Sequence, residues 1–345
     1  MTSKIMTRRG FNAALAATAM VPMLPRSVAA AGNVVAAVFP NAWEDAYRRI
    51  IGPMLAEKGI ELTLAPTLAQ DQLAKMMASA GNPPFDTLLM SPGQTAVAAE
   101  NGLIEKIDPS RLSNWDQLDD AFKSEWGPIV TVEVNGIAYN PDVVPRPKGY
   151  RDLFENPAYD KKVAWIGFGS NTATMAYVQL ASIFGKGPDD MDAVFKLFKD
   201  YLPKVGAIAE SGSQQMTLYQ QGEIAVFMAS TNNVATLKAR GVPCEFVHPE
   251  TGSPSVPVAI HLTKSAANAD NAYAYMDATI SKAAQDKLKL PPTEQIPTNK
   301  NVELTPGIEA YVTKEQLKTF VYLDWVAINK HRAEWTKAFD RVIKI

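Results

Sequence analysis

The sequence predicts an α/β protein built as two lobes, each a doubly wound sheet, joined by crossing strands. Apolar, strand-like runs alternate with helix-like segments on both sides of the middle of the chain, a pattern typical of mostly parallel sheets covered by helices. Residues 130–140, between the two halves, alternate apolar and polar side chains and are rich in β-branched residues, which predicts a strand. No low-complexity linker separates the halves, so we expect strands, and not a flexible tether, to join the lobes.

The predicted central strand contains a glycine, Gly136. Glycine inside a strand marks a bulge, a bend or a close approach of another backbone. We interpret this strand as the crossing from one lobe to the other, which places Glu133, Asn135 and Tyr139 beside an interlobe groove. The alternative is an ordinary half-buried strand within one domain.

The remaining elements repeat the alternation. Further crossing strands are expected near 253–262 and 295–302, ahead of a helix at 268–290 and of long C-terminal helices. One lobe then comprises 31–130 with 255–298, the other 136–250 with 303–345, and the hinge lies near 131–140, 253–262 and 295–302. Other strands are predicted at 33–39, 60–64, 85–90, 163–166, 224–228 and 244–247, with helices at 70–80, 92–101, 172–184, 191–202, 214–221 and 233–239.

The composition is that of a soluble α/β protein. Among 345 residues, 47% are hydrophobic and 20% charged, and the net charge is -2, values that indicate neither disorder nor a membrane-embedded bundle. No basic stripe with interleaved aromatic residues occurs, so we expect no nucleic-acid partner. Cys244 is the only cysteine, which excludes an intramolecular disulfide.

Residues 1–30 have the pattern of an export signal. A basic start containing Arg8 and Arg9 precedes an apolar run at 13–24, and small residues reach Ala30, where a signal peptidase is expected to cut. The paired arginines resemble a twin-arginine signal. The alternative, a retained membrane anchor, is disfavoured because the apolar run is short for a membrane span.

Candidate ligand-binding residues follow from one geometric rule. In an open α/β sheet, ligands bind outside the carboxyl ends of the strands, and the crossing strands also border the groove. Serine, threonine and asparagine at helix starts suit a carboxylate or a neutral polar group, although the same residues are ordinary N-caps. The loops and crossing strands supply Asn41, Trp43, Ser91, Gln94, Glu133, Phe168, Ser170, Asn171, Thr172, Ser211, Ser213, Gln214, Ser230, Asn232 and His261.

Several short segments, in order along the chain, resemble periplasmic solute-binding proteins of ABC importers, in the branch that includes polyamine-binding proteins. They include Trp43-Glu44, Phe85-Asp86, Tyr139-Asn140, Pro297 with Thr298 and Asn299, and Asp324-Trp325. The resemblance implies a type II periplasmic-binding-protein fold that closes on a small-molecule solute and docks on an ABC permease in the inner membrane. It also implies a periplasmic protein without enzymatic activity. We expect a monomer without cofactor or metal.

The resemblance leaves the ligand open between a polyamine-like amine and a small organic anion or zwitterion. In polyamine binders the position of Trp43 offers an aromatic face to the ligand, although Trp43 is also suited to be the first core residue of a helix. The selected loops contain few acids to pair with a long polyamine. They also contain no arginine to clamp a carboxylate.

Three alternative functions are ferric-iron binding, hydrolysis and ligand sensing. Ferric iron is disfavoured because the sequence has no Tyr-Tyr pair and its three histidines, His248, His261 and His331, share no ligand spacing. An exported hydrolase is disfavoured because Gly167 to Ser170 does not form a Gly-x-Ser-x-Gly motif. A ligand sensor that reports to a chemoreceptor or sensor kinase would use the same fold, and the sequence does not separate it from transport.

Overall fold

The computed structural model describes residues 32–79, 81–317, 320–321 and 323–343. The predicted export signal at 1–30 lies outside the described residues. The strands are β1 (Gly32–Val38), β2 (Ile60–Pro66), β3 (Thr87–Met90), β4 (Lys123–Ser124), β5 (Gly127–Tyr139), β6 (Val163–Ile166), β7 (Ala207–Ala209), β8 (Val226–Ser230), β9 (Glu245–Val247) and β10 (Ser255–Leu262). The helices are α1 (Ala42–Ala56), α2 (Ala69–Ala78), α3 (Pro92–Glu100), α4 (Asp152–Glu155), α5 (Asn171–Phe184), α6 (Met191–Tyr201), α7 (Gly212–Gln220), α8 (Thr231–Ala239), α9 (Ala269–Ile280), α10 (Lys282–Leu288), α11 (Pro306–Glu309), α12 (Lys314–Leu317) and α13 (Trp325–Ile343).

Two sheets of the same topology meet at one shared strand. The first has the order β2-β1-β3-β10-β5, with β1, β2 and β3 parallel and β10 antiparallel to both of its neighbours. The second has the order β7-β6-β8-β5-β9, again with three parallel strands followed by an antiparallel one. Helices joining successive parallel strands cover the sheets, as such crossovers require.

Strand β5 is the shared strand. Its first part, up to Val134, pairs with β10, and its second part, from Asn135, pairs with β8 and β9. The switch falls next to Gly136, where a Cβ atom would lie 2.5 Å from the Val247 carbonyl oxygen and 2.7 Å from Phe246 Cζ. The glycine is therefore explained by the close approach of β9, and β5 crosses between sheets instead of lying within one.

Each sheet has its own apolar core. The first core joins β1, α1 and α9 through side chains such as Val34, Tyr47 and Tyr275. The second core joins β6, α5 and α13 through an aromatic cluster that includes Trp165 and Phe339. The apolar residues of the C-terminal segment were expected to face inward, and all of them are buried except Val321, which is half-buried; the buried ones are Leu317, Phe320, Trp325, Ile328, Trp335 and Phe339.

Two elements differ from those expected from the sequence. Segment 295–302 contains no strand, only a single bridge between Asn299 and Leu118, because side chains replace the ladder: the Gln285 Oε1 atom accepts hydrogen bonds from the Thr298 and Asn299 amides. The helix expected at 268–290 is broken into α9 and α10. Ser281 has extended backbone angles and its hydroxyl caps α10 by accepting from the Ala284 amide at 3.2 Å, as a serine N-cap does.

Candidate functional site

A cavity of about 240 Å³ lies where the two sheets meet. Its first-sheet wall contains Phe39, Trp43 and Ser91, its floor contains residues of β5, and its second-sheet wall contains Thr231 and Asn232. Two further cavities, of about 310 and 350 Å³, share Asn232 and Glu294 with it. We call these three adjoining cavities the interlobe groove, and the first of them the central cavity.

Trp43 forms an aromatic wall of the central cavity. It stands in the first turn of α1, where its indole stacks on Tyr47 at 5.9 Å and meets Phe39 edge to face at 5.2 Å. The side chain is half-buried and packs against the first core while lining the cavity. The two interpretations of Trp43 are therefore compatible, because one side of the ring packs and the other faces the groove.

Glu133 brings a carboxylate to the same cavity from β5. Because strand side chains alternate, Thr131, Glu133 and Asn135 share a face of the crossing strand, and the first two line the cavity. Burial raises the pKa of the Glu133 carboxyl, an effect that a hydrogen bond from Ser230 partly opposes. A desolvated carboxylate of this kind favours a cationic partner.

One further wall of the central cavity was not identified from the sequence. It is the segment Thr293, Glu294, Gln295 and Ile296, which follows α10 and lines the central cavity. Glu294 has a φ of 43°, in the left-handed region, and Gln295 is 5% exposed. No motif marks these residues, and the only available signal was their position next to the expected third crossing.

Of the predicted residues, the structure brings Trp43, Ser91, Glu133 and Asn232 together in the central cavity. Asn41 is exposed just before α1, with a φ of 64°. Gln94 lies in the first turn of α3, and its buried Oε1 atom has no hydrogen-bond partner.

The helix-start serines act as N-caps. Ser170, Ser211 and Ser230 accept hydrogen bonds from the amides of Ala173, Gln214 and Asn233, three residues further on in each case. The Gln214 side chain in turn accepts from the Glu210 amide, and Ser213 is exposed beside it. Asn171 is half-buried, and Thr172 donates to the Asn135 side-chain oxygen at 2.9 Å, which joins α5 to the crossing strand.

Two predicted ligand residues need correction. Phe168 is fully buried and packs on Tyr177, Trp335 and Phe339, because its loop turns the ring into the core while the neighbouring polar residues face outward. His261 is 1% exposed. Its Nδ1 atom lies 2.9 Å from the Trp126 carbonyl oxygen and its Nε2 atom 2.9 Å from the Thr95 hydroxyl, so both nitrogens are used within the first lobe.

Acidic side chains outnumber basic ones in the lining of the central cavity. The central cavity is lined by Glu133 and Glu294 and by no lysine or arginine among the described residues. Lys238 borders the neighbouring cavity but is paired with Glu245 at 3.0 Å.

Arg332 was not identified from the sequence as a residue near the predicted site. It reaches the 167–172 loop from α13, where it donates to the Phe168 and Gly169 carbonyl oxygens.

The described residues contain one close serine–histidine contact, and its geometry does not favour a hydrolase site. The Ser253 hydroxyl lies 2.6 Å from His248 Nδ1, while His248 Nε2 faces the Tyr311 carbonyl oxygen at 2.6 Å. Ser253 is 3% exposed, so a substrate carbonyl has no access to it. The part of the chain that the structure describes also holds no cluster of three or more histidine, cysteine or acidic residues able to bind a metal.

Within the described ranges, no helix has the length and apolarity needed to cross a membrane. Two sheets of equal topology, a strand shared between them and a polar groove at their junction define a two-lobed binding protein with the type II periplasmic-binding-protein fold, as predicted. The family model for bacterial extracellular solute-binding proteins matches residues 51–316, and the chain belongs to this family.

Relatives agree with this assignment. The spermidine/putrescine-binding periplasmic protein of Salmonella typhimurium is 22% identical over 210 residues, which cover 57% of this chain and 58% of the relative. A putative extracellular solute-binding protein from Bordetella parapertussis superposes with a TM-score of 0.80 at 17% identity, covering 90% of this chain and 98% of that one. An ABC transporter protein from Clostridium perfringens gives 0.78 at 23% identity, covering 90% and 99%. At these identities the structural likeness shows a shared fold.

Proposed function

We propose that this solute-binding protein captures a small organic cation in the interlobe groove and delivers it to an ABC permease. The observation that carries the proposal is the lining of the central cavity: two carboxylates, Glu133 and Glu294, and the aromatic rings of Trp43 and Phe39, with no basic side chain. Carboxylates neutralise a desolvated ammonium group, and an aromatic face attracts the same charge.

This lining favours an amine over an organic anion, the two ligand classes that the sequence leaves open. The predicted loops hold few acids, but the groove gains Glu294 from the wall that follows α10. The cavity of about 240 Å³ is smaller than pockets for drug-sized ligands. A short amine fits this volume and charge better than a long polyamine.

Capture requires that the ligand touch both lobes, because only contacts made in the closed form shift the open-closed balance. We propose lobes of 31–130 with 255–298 and of 136–250 with 303–345. The groove supplies both sides: Trp43 and Ser91 stand on the first, and Thr231 and Asn232 on the second. Closure around the crossing strands then brings the two walls onto the ligand.

The site of action that fits this role is the periplasm, reached through the export signal at 1–30, with the protein acting as a monomer and without catalysis. The relative from Salmonella typhimurium is a spermidine/putrescine-binding periplasmic protein, which supports an amine as ligand. A sensor that passes occupancy to a chemoreceptor or kinase is the alternative use of the same closure.

The test is a thermal-shift panel on the purified protein with putrescine, spermidine, 4-aminobutanoate, citrate and inorganic phosphate. A ligand present at one hundred times its dissociation constant adds about 2.7 kcal/mol of apparent stability. We expect the melting temperature to rise with amines and not with citrate or phosphate. A rise with the anions alone contradicts the proposal.

One observation favours an organic anion as the second candidate. Arg332 lies at the 167–172 loop, directly before the N-terminus of α5, and a helix N-terminus with a guanidinium beside it suits a carboxylate. Its Nε and Nη2 atoms are already used by backbone carbonyl oxygens, which is why we rank it second. Replacement of Arg332 by Gln should abolish anion binding if this candidate is correct.

A further inference from the structure

A further cavity, of about 450 Å³, lies beside the second core, between α5 and the start of α13. None of its lining residues lines a cavity of the interlobe groove. Its volume lies within the range of small-molecule sites. We call it the outer cavity, and its lining includes Val178, Gln179, Asp189, Leu323, Asp324 and Ile328.

The buried side chain of Gln179 forms part of the wall of the outer cavity. Gln179 lies on α5 and is 5% exposed. Its Nε2 atom donates to the Gly252 carbonyl oxygen at 2.8 Å, which fixes the amide, whereas its buried Oε1 atom has no hydrogen-bond partner. Buried polar atoms in folded proteins are nearly always paired. A side chain that lines a cavity with an unused acceptor therefore indicates a ligand that supplies a donor.

The charged side chains of the outer cavity are all acidic. Asp189 and Asp324 line it, and no lysine, arginine or histidine does so among the described residues. Asp324 also caps α13, since its Oδ1 atom accepts from the Ala327 amide at 3.0 Å. Both aspartates are exposed, so they lie at the rim of the cavity, where they favour a positively charged ligand.

The deeper wall of the outer cavity is apolar. Val178 and Ile328 are buried and Leu323 is half-buried, and all three belong to or pack against the second core. A ligand that covers these side chains removes apolar surface from water, which favours binding. The outer cavity therefore combines an apolar floor with an unused acceptor and two carboxylates.

We propose that the outer cavity binds a small organic amine that carries an apolar chain or ring. The ammonium group donates to Gln179 Oε1, with Asp189 and Asp324 as its counter-charges. The apolar part packs on Val178 and Ile328. An ammonium group has donors and no acceptor, so it matches this set, whereas a carboxylate would be repelled by the two aspartates. The site is separate from the interlobe groove and does not depend on the proposed function.

Three compounds of similar size test the ligand class: 2-phenylethylamine, 2-phenylethanol and phenylacetate. Because the groove is also proposed to take amines, binding is located by nuclear magnetic resonance on protein with labelled Ile, Leu and Val methyl groups. We expect 2-phenylethylamine to give ring-to-methyl contacts at Val178, Leu323 and Ile328. It should bind there roughly tenfold more tightly than 2-phenylethanol, because hydrogen bonds to charged groups are the stronger ones, and phenylacetate should give no such contacts.

Amide substitutions test the charge. The double variant Asp189→Asn with Asp324→Asn removes both charges and keeps a residue able to cap α13. Its affinity for 2-phenylethylamine, measured at the same methyl groups, should fall about tenfold, to that of 2-phenylethanol. The matched control is Asp192→Asn, at an exposed aspartate in the first turn of α6, which should keep the native affinity.

Gln179→Met tests the acceptor and should weaken binding of 2-phenylethylamine several-fold. If this variant does not fold because the Gly252 carbonyl oxygen loses its donor, the two exposed aspartates still decide the case. Equal affinities for the amine and the alcohol, or native affinity in the double aspartate variant, would show an apolar crevice without cation recognition and overturn the inference. Contacts of 2-phenylethylamine in the interlobe groove alone, or nowhere, overturn it as well. Failure of putrescine to bind the groove would overturn the proposed function and leave the outer cavity unaffected.

Discussion

The Asn329 side-chain amide donates a hydrogen bond of 2.9 Å to the Gly93 carbonyl oxygen. Asn329 lies on α13, which is anchored in the second core by Trp335 and Phe339, whereas Gly93 lies in the first turn of α3 beside the first sheet. The neighbouring contact is also close, since a Cβ at Gly93 would lie 3.4 Å from the Trp325 ring. The two lobes are therefore linked by α13 as well as by the crossing strands.

Replacing Asn329 by Ala should loosen this link. One neutral hydrogen bond contributes about 0.5–1.5 kcal/mol, so we expect the population of the conformation described here to fall by roughly 2- to 10-fold relative to more open ones. Fluorescence energy transfer between labels at the exposed positions Glu61 and Lys196 measures this shift in the ligand-free protein.

The matched control is Asn101→Ala, which also loses an amide-to-carbonyl hydrogen bond, but one made locally to Val97 at 2.8 Å. It should leave the distance distribution unchanged. Equal distributions for Asn329→Ala and the control would show that the α13 contact does not hold the lobes.

Alanine substitutions at Phe168 and Trp43 should have different main effects, the first on stability and the second on ligand binding. Phe168→Ala removes a ring that is fully buried against Tyr177 and Phe339, and such changes cost roughly 3–5 kcal/mol of unfolding free energy. Trp43→Ala removes a half-buried ring that lines the groove, so we expect it to weaken amine binding at least about tenfold with a smaller loss of stability. Urea denaturation and titration with putrescine measure the two effects.

The control for Trp43 is Trp115, another partly buried tryptophan that packs on the first core away from the groove. Trp115→Ala should lower stability and leave putrescine affinity unchanged. Loss of affinity in Trp115→Ala, or none in Trp43→Ala, contradicts the assignment of the aromatic wall.

Because of His261, the free energy of unfolding should fall in mild acid. The Trp126 carbonyl oxygen can only accept, so Nδ1 carries the proton of the neutral ring, and Nε2 faces the Thr95 hydroxyl, which also lies within hydrogen-bonding distance of the Ser91 carbonyl oxygen. Burial lowers the His261 pKa to about 4. Between the unfolded-state pKa of about 6.5 and this value, the unfolded chain binds a proton that the folded protein does not.

Stability is therefore present above pH 6.5 and is lost as the pH falls towards 4, by up to about 3 kcal/mol in total. Denaturant unfolding as a function of pH should show a shallower dependence for His261→Gln than for the native protein. An unchanged slope in His261→Gln would refute the assignment.

The sequence predicts an element of the fold well where the residue types themselves determine the local structure. The residue types around Gly136 predicted the crossing strand correctly, because β-branched residues and the need for a residue without a Cβ both appear in the sequence, although the strand is buried on both faces and not on alternate residues. The helix expected at 268–290 was wrong at Ser281, since a serine that caps a new helix has the same identity as one exposed within a helix.

The site was harder to predict because a loop position does not reveal where a side chain points. Phe168 and Ser170 are two residues apart, yet one fills the core and the other caps α5. Glu294 and Gln295 lie in the turn after α10, where their amides donate to the Leu290 and Leu288 carbonyl oxygens. Their approach to Trp43 is a tertiary property that no local pattern contains.

Glu133→Gln should weaken binding of an amine and remove its dependence on pH. A hydrogen bond to a charged group contributes about 1.5–3 kcal/mol, so we expect putrescine affinity to fall roughly 10- to 150-fold. Only the ionised carboxylate pairs with an ammonium group, and burial raises the pKa of Glu133. In the native protein, affinity should therefore decline as the pH falls through a range above that of an ordinary glutamate.

The same shift predicts the effect of Glu133→Gln on stability. A raised carboxyl pKa means that the folded protein holds the proton more tightly than the unfolded chain, so ionised Glu133 lowers stability at neutral pH and this cost disappears in acid. The ligand-free variant should melt at an equal or higher temperature at pH 7. The exposed glutamate of β2 gives the control, Glu61→Gln, with native affinity. If Glu133→Gln binds putrescine with the native affinity and pH profile, the carboxylate in the groove does not hold the cation.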